Sequence, residues 1–396
     1  MSGSGEVTVT GFGVRTAFGS GAEAVRRGVF AGIPAFAPTS RFDTGPYRTP
    51  MAAAAPDGPD AVEDWALRHA LAECGTQALD MAGLRPGTRA AVLLGVAGDH
   101  TSVTRYWRGA GEGEAGAGAA AGRAADAVPA QLAELLAAWL GLTGPRLTFT
   151  NACVASAAAI IHGCRLISSG RSDVAVCGGG YLVEEETFGK FDSGRALSKD
   201  GMVRPFSADR SGLLLGDGVA VVVLESAEHS RRRGARPLAS VVGWGAATDA
   251  HHIAQPHPQG AGLARAARQA MRLAGDPDGA ALDYVNAHGT GTKYNDGAET
   301  RGLRAAFPHR AESIPVSSTK STTGHLLEAA GVVEFVITLL ALTDGVLPPT
   351  AGFTAPDPEC DLDYVPNRPR PADLRRALTV NAAFGGANTA LVLERP

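Results

Sequence analysis

Short apolar runs alternate along the chain with longer segments of helical periodicity. Nine of the runs are strand-like: EVTVTGFG (6–13), RAAVLLGVAG (89–98), RLTFTNA (146–152), DVAVCGGG (173–180), VAVVVLE (219–225), LASVVGWG (238–245), LDYVNAHG (282–289), IPVSSTK (314–320) and TALVLE (389–394). Strands that are apolar on both faces are typical of a buried sheet with helices on either side. The pattern therefore predicts an α/β fold.

The order of these segments repeats. Residues 146–170 read as a strand, a turn and a helix of small residues that Gly170 stops, and residues 314–342 have the same form. The runs at 218–225 and 388–394 close the two copies. We therefore predict two similar α/β halves, residues 1–240 and 241–396, which join near residues 235–250. A doubled fold usually places its site between the halves, where equivalent strand ends meet.

Composition narrows the class of protein. The 396 residues are 45% apolar and 19% charged, and the net charge of −4 gives no support to nucleic-acid binding. The chain opens on a strand-like segment, and no apolar run reaches the roughly eighteen residues of a membrane span. Five widely spaced cysteines without a CxxC pair disfavour a disulfide framework and a zinc site. We expect a cytoplasmic protein without a membrane span or a bound metal.

Cys153 stands where a strand turns into a helix, in TFTNACVASAAAII (148–161). A lone buried cysteine is often an inert packing residue. In the first turn of a helix, however, the unpaired N–H groups and the helix dipole favour a thiolate, and the cysteine N–H can help to bind an oxyanion. On this segment alone, both interpretations stay open.

Two further strand ends carry basic side chains. His288 enters the turn NAHGTGT (286–292), where it either transfers a proton or only holds the turn. Lys320 and His325 flank SSTKSTTGH (317–325), ahead of an apolar helix predicted from Leu326. A buried lysine is uncommon unless it is paired or functional, and a helix start favours a neutral histidine. The alternative is that Lys320 binds carbonyls and that His325 only packs.

A fourth turn, NAAFGGANTALVLE (381–394), places Phe384 before Gly385 and Gly386. Such a turn can move and offers backbone N–H groups, although Gly-Gly alone is a weak signal.

No GxSxG elbow and no Walker loop is present. One cysteine with two histidine donors suits acyl transfer followed by carbanion chemistry. The Gly/Ala-rich segment 109–127 predicts a surface helix or an insertion, and we assign it no chemistry.

In this order, NACVAS, NAHGTGT, KSTTGH and FGGANTALVLE resemble the β-ketoacyl synthases of the thiolase fold, and the likeness is greatest to the synthase II type. The resemblance covers essentially the whole chain. It implies a thiolase-like fold of two similar α/β halves in an α-β-α-β-α layering. It also implies an acyltransferase that performs a decarboxylative Claisen condensation with malonyl-acyl carrier protein. The carrier protein would deliver the phosphopantetheine arm, and no other cofactor is expected.

The resemblance also implies roles for individual residues. Cys153 would carry the acyl chain as a thioester, and His288 and His325 would bind the malonyl thioester carbonyl. Lys320 would organise the histidines together with Glu334. Backbone N–H groups of Cys153 and Phe384 would form the oxyanion hole, with Phe384 as a gate. Gly385 and Gly386 would belong with Phe384 to the oxyanion and gating turn, and the supporting residues would be Glu334, Thr290 and Thr292.

Departures from the family pattern indicate a specialised enzyme. Val154 and Ala155 stand where Ser or Thr is frequent, and NAAFGG is one residue shorter than the usual NSFGFGG. The segment 55–69 is acidic where basic carrier contacts are frequent, which leaves as candidate contacts the basic residues Arg68, Arg195, Arg204 and 231–236. We expect a discrete ketosynthase of a polyketide or related secondary-metabolite pathway, in a homodimer or in a heterodimer with a ketosynthase-like subunit.

Three alternatives remain. The first is a housekeeping fatty-acid chain-elongation synthase. The second is a non-catalytic partner subunit like the chain-length factors, which the presence of Cys153 and both histidines disfavours. The third is a coenzyme-A thiolase or a starter-unit synthase, which HGTGT and KSTTGH disfavour.

Overall fold

The computed structural model describes residues 6–54, 66–101 and 124–396. Its strands are β1 (Val7–Thr16), β2 (Gly19–Ser20), β3 (Ala37–Pro38), β4 (Met51–Ala52), β5 (Ala91–Gly95), β6 (Arg146–Phe149), β7 (Val174–Tyr181), β8 (Gly218–Ser226), β9 (Ala239–Thr248), β10 (Tyr284–Asn286), β11 (Val316–Ser317), β12 (Val346–Leu347), β13 (Arg370–Pro371), β14 (Arg376–Ala382) and β15 (Ala387–Glu394).

The helices, in chain order, are α1 (Gly21–Val25), α2 (Leu67–Ala82), α3 (Pro129–Trp139), α4 (Ala155–Ser168), α5 (Glu185–Ser193), α6 (Ala227–Arg232), α7 (Ala261–Leu273), α8 (Lys293–Ala306), α9 (Lys320–Thr323) and α10 (Ala330–Asp344). A π-helical turn covers Arg26–Phe30. Single 3₁₀ turns lie at Ala125–Ala127, Ala152–Val154, Ala311–Ser313, Leu327–Ala329 and Phe384–Gly386.

One large sheet runs through the molecule in the order β11-β10-β14-β15-β9-β1-β8-β7-β5-β6, and β2 pairs with β1. The strand order β6-β5-β7-β8-β1 of the first half recurs as β11-β10-β14-β15-β9 in the second. In both halves the first two pairings are parallel and the last two antiparallel. The sheet thus contains the same five-stranded unit twice.

The two units meet where β1 pairs with β9, through Val7–Val241, Thr8–Ser240 and Val9–Ala239. The predicted boundary at residue 240 falls inside β9, and it stays a prediction as a domain division. Three apolar cores separate the layers. The central core contains α4 and α10, the second lies under α2 and α3, and the third lies under α7 and α8. The predicted α-β-α-β-α layering is confirmed.

The outer helices lie directly on glycines of the repeated first strand. A Cβ on Gly13 of β1 would come within 2.1 Å of the Cys74 carbonyl oxygen in α2. A Cβ on Gly243 of β9 would come within 2.1 Å of the Ala270 carbonyl oxygen in α7. Both halves therefore need a glycine in their first strand so that a helix backbone can reach the sheet.

The central helices approach each other through small side chains. The main-chain N–H of Val332 in α10 donates to Ser156 Oγ in α4, at 3.0 Å. A Cβ on Gly331 would lie 2.5 Å from the Ala157 nitrogen. This close contact brings together the turns that precede the two helices.

All nine predicted strands are present, and β14 is a strand that the pattern analysis missed, because RALTVNA runs without a break into the next turn. The predicted helix stop is confirmed, since α4 ends at Ser168 and Gly170 has a φ of 70°. The helix predicted from Leu326 begins instead at Ala330, because a 3₁₀ turn with Leu327 at a φ of 45° precedes it.

Residues 109–123 of the Gly/Ala-rich segment lie outside the described residues. Within the described ranges, no helix has both the length and the apolar composition needed to cross a membrane. All five cysteines are buried and unpaired.

Substituting a glycine that touches a helix should destabilise the protein. We expect Gly13→Ala and Gly243→Ala each to lower the free energy of unfolding by about 1–3 kcal/mol, because the new methyl group overlaps a carbonyl oxygen. Chemical denaturation measures this change. The control is Gly189→Ala in α5, where the nearest atoms lie 3.5 Å from the new Cβ. An equal loss in the control would contradict this explanation.

Candidate active site

Cys153 lies in the turn Ala152–Val154, between β6 and α4, and is buried. Ala152 has a φ of 53°, a conformation that residues with a side chain seldom adopt and that often marks a functional turn. The sheet approaches this turn closely, since a Cβ on Gly95 would lie 2.1 Å from the Ser156 nitrogen. The sequence thus folds into a sharp strand-to-helix turn with the thiol at its apex.

His325 arrives from the second half and is fixed through its main chain. Its N–H donates to the Leu214 carbonyl oxygen at 2.7 Å, and its own carbonyl oxygen accepts from the Gly216 N–H at 3.1 Å. Its Nε2 then lies 3.1 Å from Cys153 Sγ. The structure therefore brings the predicted cysteine and this histidine into direct contact.

His288 lies beside His325, with ring centroids 5.3 Å apart and ring planes nearly perpendicular. Its turn is held by two buried carboxylates that the sequence analysis missed. Glu299 accepts hydrogen bonds from the N–H groups of His288 and Gly289, both at 2.7 Å, and Asp296 accepts from the Thr290 N–H at 3.1 Å. The spacing of three residues in KYNDGAET, which places both acids on one face of α8, was the available signal.

Lys320 and Glu334 form a fully buried ion pair next to the histidines. Asn381, also missed in the sequence, donates from Nδ2 to the second Glu334 oxygen at 2.6 Å. Burying a charge is costly unless it is paired and hydrogen-bonded, and both conditions are met here. The predicted association of Lys320 with Glu334 is present.

The thiol is protonated at rest. Burial, and after it the charge of Glu328, raise the pKa of Cys153 to about 12, although Lys320 opposes both effects. The helix start does not offset this burial, so the predicted resting thiolate is corrected to a neutral thiol.

Both imidazoles are neutral. Burial lowers the pKa of His288 and of His325 well below the usual value, and the positive charge of Lys320 adds to this effect. The expected neutral form of His325 is confirmed, but its cause is burial beside Lys320 rather than a helix dipole. The Nδ1 atoms of both rings have no hydrogen-bond partner within the described chain, so no contact fixes either tautomer.

Phe384 begins the turn between β14 and β15 and is 52% exposed. It stacks on Phe191, with ring centroids 5.9 Å apart. Gly385 and Gly386 both have a φ of 81°, and the Gly385 N–H donates to the Ile253 carbonyl oxygen at 2.7 Å. The shortened turn is therefore ordered by its glycines and by a neighbouring loop.

Two cavities meet at Cys153, Phe191 and Phe384. The larger, about 440 Å³, is lined by both histidines and by Thr290 and Thr292, whose hydroxyl oxygens lie 2.8 Å apart. The smaller, about 210 Å³, also borders the thiol. Ligand groups in either cavity can therefore reach the same sulfur.

Of the predicted basic contacts, Arg195 alone lines either cavity among the described residues. Arg68 pairs with Asp126 at 3.3 Å, and Arg204 pairs with Asp200 at 2.6 Å. Within 231–236, Arg233 pairs with a buried carboxylate, Glu225. Residues 55–65 of the acidic segment lie outside the described residues.

Comparisons with known proteins agree with this geometry. Residues 4–230 match the beta-ketoacyl synthase N-terminal domain, and residues 238–354 match the C-terminal domain. The tetracenomycin polyketide synthase ketoacyl synthase alpha subunit of Streptomyces glaucescens is 36% identical, over 98% of this chain and 97% of that protein. A 3-oxoacyl-acyl-carrier-protein synthase 2 of Synechocystis sp. is 40% identical, over 65% of this chain and 63% of that protein.

Among solved structures, the ishigamide ketosynthase/chain length factor superposes with a TM-score of 0.91, at 32% identity and over 99% of both chains.

Alkylation of Cys153 should report its protonation. We expect the rate of reaction with iodoacetamide to rise about tenfold per pH unit between pH 7 and 9.5, because the thiolate fraction grows tenfold per unit below the pKa. Removing the Glu328 charge with Glu328→Gln lowers this pKa and so raises the rate at each pH. Peptide mass spectrometry follows the reaction, with Cys153→Ala as the blank. A rate that levels off below pH 8 would contradict a neutral resting thiol.

The buried ion pair should dominate local stability. We expect Glu334→Gln to lower the free energy of unfolding by about 3–5 kcal/mol, because it leaves Lys320 buried and charged without a counter-ion. The double variant with Lys320→Met should lose less than the two single losses added together. The control is Glu186→Gln at the exposed pair with Lys190, where we expect about 0–1 kcal/mol. Additive losses in the double variant would show that the pair is not coupled.

Proposed function

The chain belongs to the β-ketoacyl synthase family, and on this premise we propose that it joins an acyl chain held on Cys153 to a malonyl unit on an acyl carrier protein. Carbon dioxide is lost, and the product is a β-ketoacyl carrier protein. The observation that carries the proposal is the meeting of Cys153 with His325 Nε2 at 3.1 Å, next to His288 and between two cavities.

In the first half-reaction Cys153 Sγ attacks the thioester carbonyl of an acyl carrier protein. Because the thiol is neutral, its proton must leave as the bond forms, and His325 Nε2 is placed to accept it. The tetrahedral intermediate collapses, and the thiolate of the carrier leaves with this proton. His325 returns to its neutral form, which the low pKa favours.

In the second half-reaction the malonyl thioester occupies the larger cavity. His288 donates from Nε2–H to its carbonyl oxygen, and His325 does the same once its ring proton has moved from Nδ1 to Nε2, so that cleavage of the carbon–carbon bond leaves an enolate and carbon dioxide. Neutral donors suit this role, because they stabilise the developing oxyanion by hydrogen bonds and form no fixed ion pair with the charge of the substrate. Lys320 and Glu334 act as positioning residues behind the rings.

The enolate carbon then attacks the Cys153 thioester. Main-chain N–H groups of Cys153 and Phe384 stabilise the second tetrahedral oxyanion, and its collapse releases Cys153 as a thiolate that takes a proton from solvent. The exposed ring of Phe384 and its contact with Phe191 lie where the two cavities join, which supports a gating role for this turn. Thr290 and Thr292 line the larger cavity and offer hydroxyl groups to the amides of a phosphopantetheine arm.

The pathway is best assigned to polyketide or related secondary metabolism. The similarity to a polyketide ketoacyl synthase alpha subunit spans nearly the whole of both chains, while the similarities to a putative polyketide beta-ketoacyl synthase and to a fatty-acid type synthase each cover about two thirds. Housekeeping fatty-acid elongation is the second candidate. A non-catalytic chain-length-factor-like role is disfavoured, because the thiol and both imidazoles converge in one buried site.

Two surfaces fit the partners. Arg195 and Lys293 are exposed basic residues at the larger cavity, a suitable place for an acidic carrier protein. The strand β6 ends the sheet, with no further strand paired to it among the described residues, and Leu147 in this strand is partly exposed. An open strand edge invites pairing with another chain, which suits a second ketosynthase-like subunit or a second copy.

The catalytic assignment predicts separable losses. We expect Cys153→Ala to abolish acyl transfer and condensation. We expect His288→Ala to keep acylation of Cys153 but to lower malonyl decarboxylation about 100- to 1,000-fold, because one donor to the enolate is lost. Intact-mass spectrometry measures acylation, and release of labelled carbon dioxide measures decarboxylation. Elongation by Cys153→Ala would overturn the proposal.

The partner assignment predicts carrier selectivity. We expect faster elongation with a polyketide carrier protein than with a fatty-acid carrier protein, and weaker discrimination in Arg195→Ala with Lys293→Ala, because these side chains lie at the cavity that receives the arm. Elongation rates with both carriers measure it, and Arg85→Ala, an exposed residue that lines neither cavity, is the control. Equal rates with both carriers would favour the housekeeping alternative.

A further inference from the structure

The smaller cavity beside Cys153 is polar in the place where the stored acyl chain would lie. Its described lining includes the carboxylates of Asp99, Glu184 and Glu328 and the hydroxyl of Tyr181. Apolar side chains, Leu182 among them, make up other parts of the wall. A carboxylate can accept a hydrogen bond from a ligand only when hydrogen bonds within the protein do not already occupy its oxygens.

Two of these carboxylates, Asp99 and Glu184, already accept hydrogen bonds from main-chain N–H groups. Asp99 accepts from the main-chain N–H of Leu67 at 3.0 Å and from that of Thr101 at 3.1 Å. Glu184 caps α5, where it accepts from the N–H groups of Glu186 at 2.8 Å and of Thr187 at 2.9 Å. Both therefore serve local structure.

Glu328 and Tyr181 are not committed. Within the described chain, the carboxylate of Glu328 has a hydrogen bond only from its own main-chain N–H. Tyr181 ends β7 and is 7% exposed, yet among the described residues its hydroxyl oxygen has no hydrogen-bond partner. The Glu184 N–H influences this oxygen without reaching hydrogen-bond geometry, and none of the described residues accepts the hydroxyl proton. A buried hydroxyl in this state needs a partner such as a water or a ligand, and this hydroxyl lines a cavity that a ligand can enter.

The two groups are complementary and close to the reacting sulfur. Burial and nearby carboxylates, Glu328 among them, raise the pKa of Tyr181, so its O–H is a donor at every working pH. The charge of Glu328 is also the strongest of the charges that raise the pKa of Cys153. Ala152 lies in the turn that carries Cys153, and Leu327 lies in the turn that precedes α10. Their φ values are 53° and 45°, and both residues line this cavity.

We propose that the smaller cavity selects acyl chains that carry a hydroxyl or an amide close to the thioester, with Glu328 accepting a hydrogen bond from this group and Tyr181 donating one. A saturated alkyl chain would shield both side chains from water and leave them unpaired. A site built to hydrogen-bond a substrate rejects the analogue that lacks the polar group. This inference deepens the proposed function and rests on it.

The test compares three thioesters of N-acetylcysteamine with equal chain length: hexanoyl, 3-hydroxyhexanoyl and N-acetyl-β-alanyl. Intact-mass spectrometry follows the rate at which each acylates Cys153 in the full-length protein. We expect the hydroxyl or the amide chain to react at least tenfold faster than hexanoyl, and the comparison of these two arms identifies which group the cavity takes.

The variants assign the preference to the two side chains. Glu328→Leu should abolish the preference by losing rate with the polar chains, and Tyr181→Phe should lower it several-fold. Glu328→Gln should keep part of the preference, since an amide still hydrogen-bonds, although it removes the charge near Cys153. Glu228→Gln on α6 is the control and should behave as wild type.

The outcomes separate this inference from the proposed function. Acylation of the wild type by all three thioesters with hexanoyl as fast as the others would overturn the inference and leave the proposed function intact. A preference that survives in both Glu328→Leu and Tyr181→Phe would also overturn it. Acylation by none of them, nor by carrier-bound acyl chains, would overturn the proposed function and this inference together.

Discussion

The close contact between the two central helices is the constraint on which the site depends. The Val332 N–H reaches Ser156 Oγ, and Gly331 leaves no room between its backbone and that of Ala157. Because each helix follows a turn that carries a reactive side chain, this contact determines how far Cys153 lies from His325. A bulkier side chain at the crossing would separate the thiol from its proton acceptor before it affected either residue directly.

Burial then sets the charge of each group. The thiol and both imidazoles are neutral because burial disfavours their charged forms, and the charge of Lys320 adds to this effect at the imidazoles. The positive charge of Lys320 is tolerable only because Glu334 neutralises it and Asn381 binds the remaining oxygen. The site thus combines uncharged reacting groups with one internally compensated pair.

Much of the fold could be predicted from the sequence, because strands buried on both faces leave continuous apolar runs, and nine such runs became strands. The strand β14 was missed because its flanking turn has no Gly or Pro before Gly385. The site residues with unusual chemistry, Cys153, His288, Lys320 and His325, stood out at strand ends. Glu299, Asn381 and Phe191 did not stand out in the sequence. Their roles depend on the distant residues that they contact in the fold, which are the His288 turn, Glu334 and Phe384. The protonation of Cys153 also required the structure, since the effect of burial competes with that of the helix start.

The raised pKa of the buried thiol has a consequence for the lifetime of the enzyme. Peroxides and soft metal ions attack thiolates far faster than thiols, so a cysteine that stays protonated resists oxidation to sulfenic acid. Its nucleophilicity appears only when an imidazole accepts the proton as the sulfur attacks a bound thioester. The unacylated enzyme should therefore lose its sulfur to such side reactions more slowly than one that rests as a thiolate.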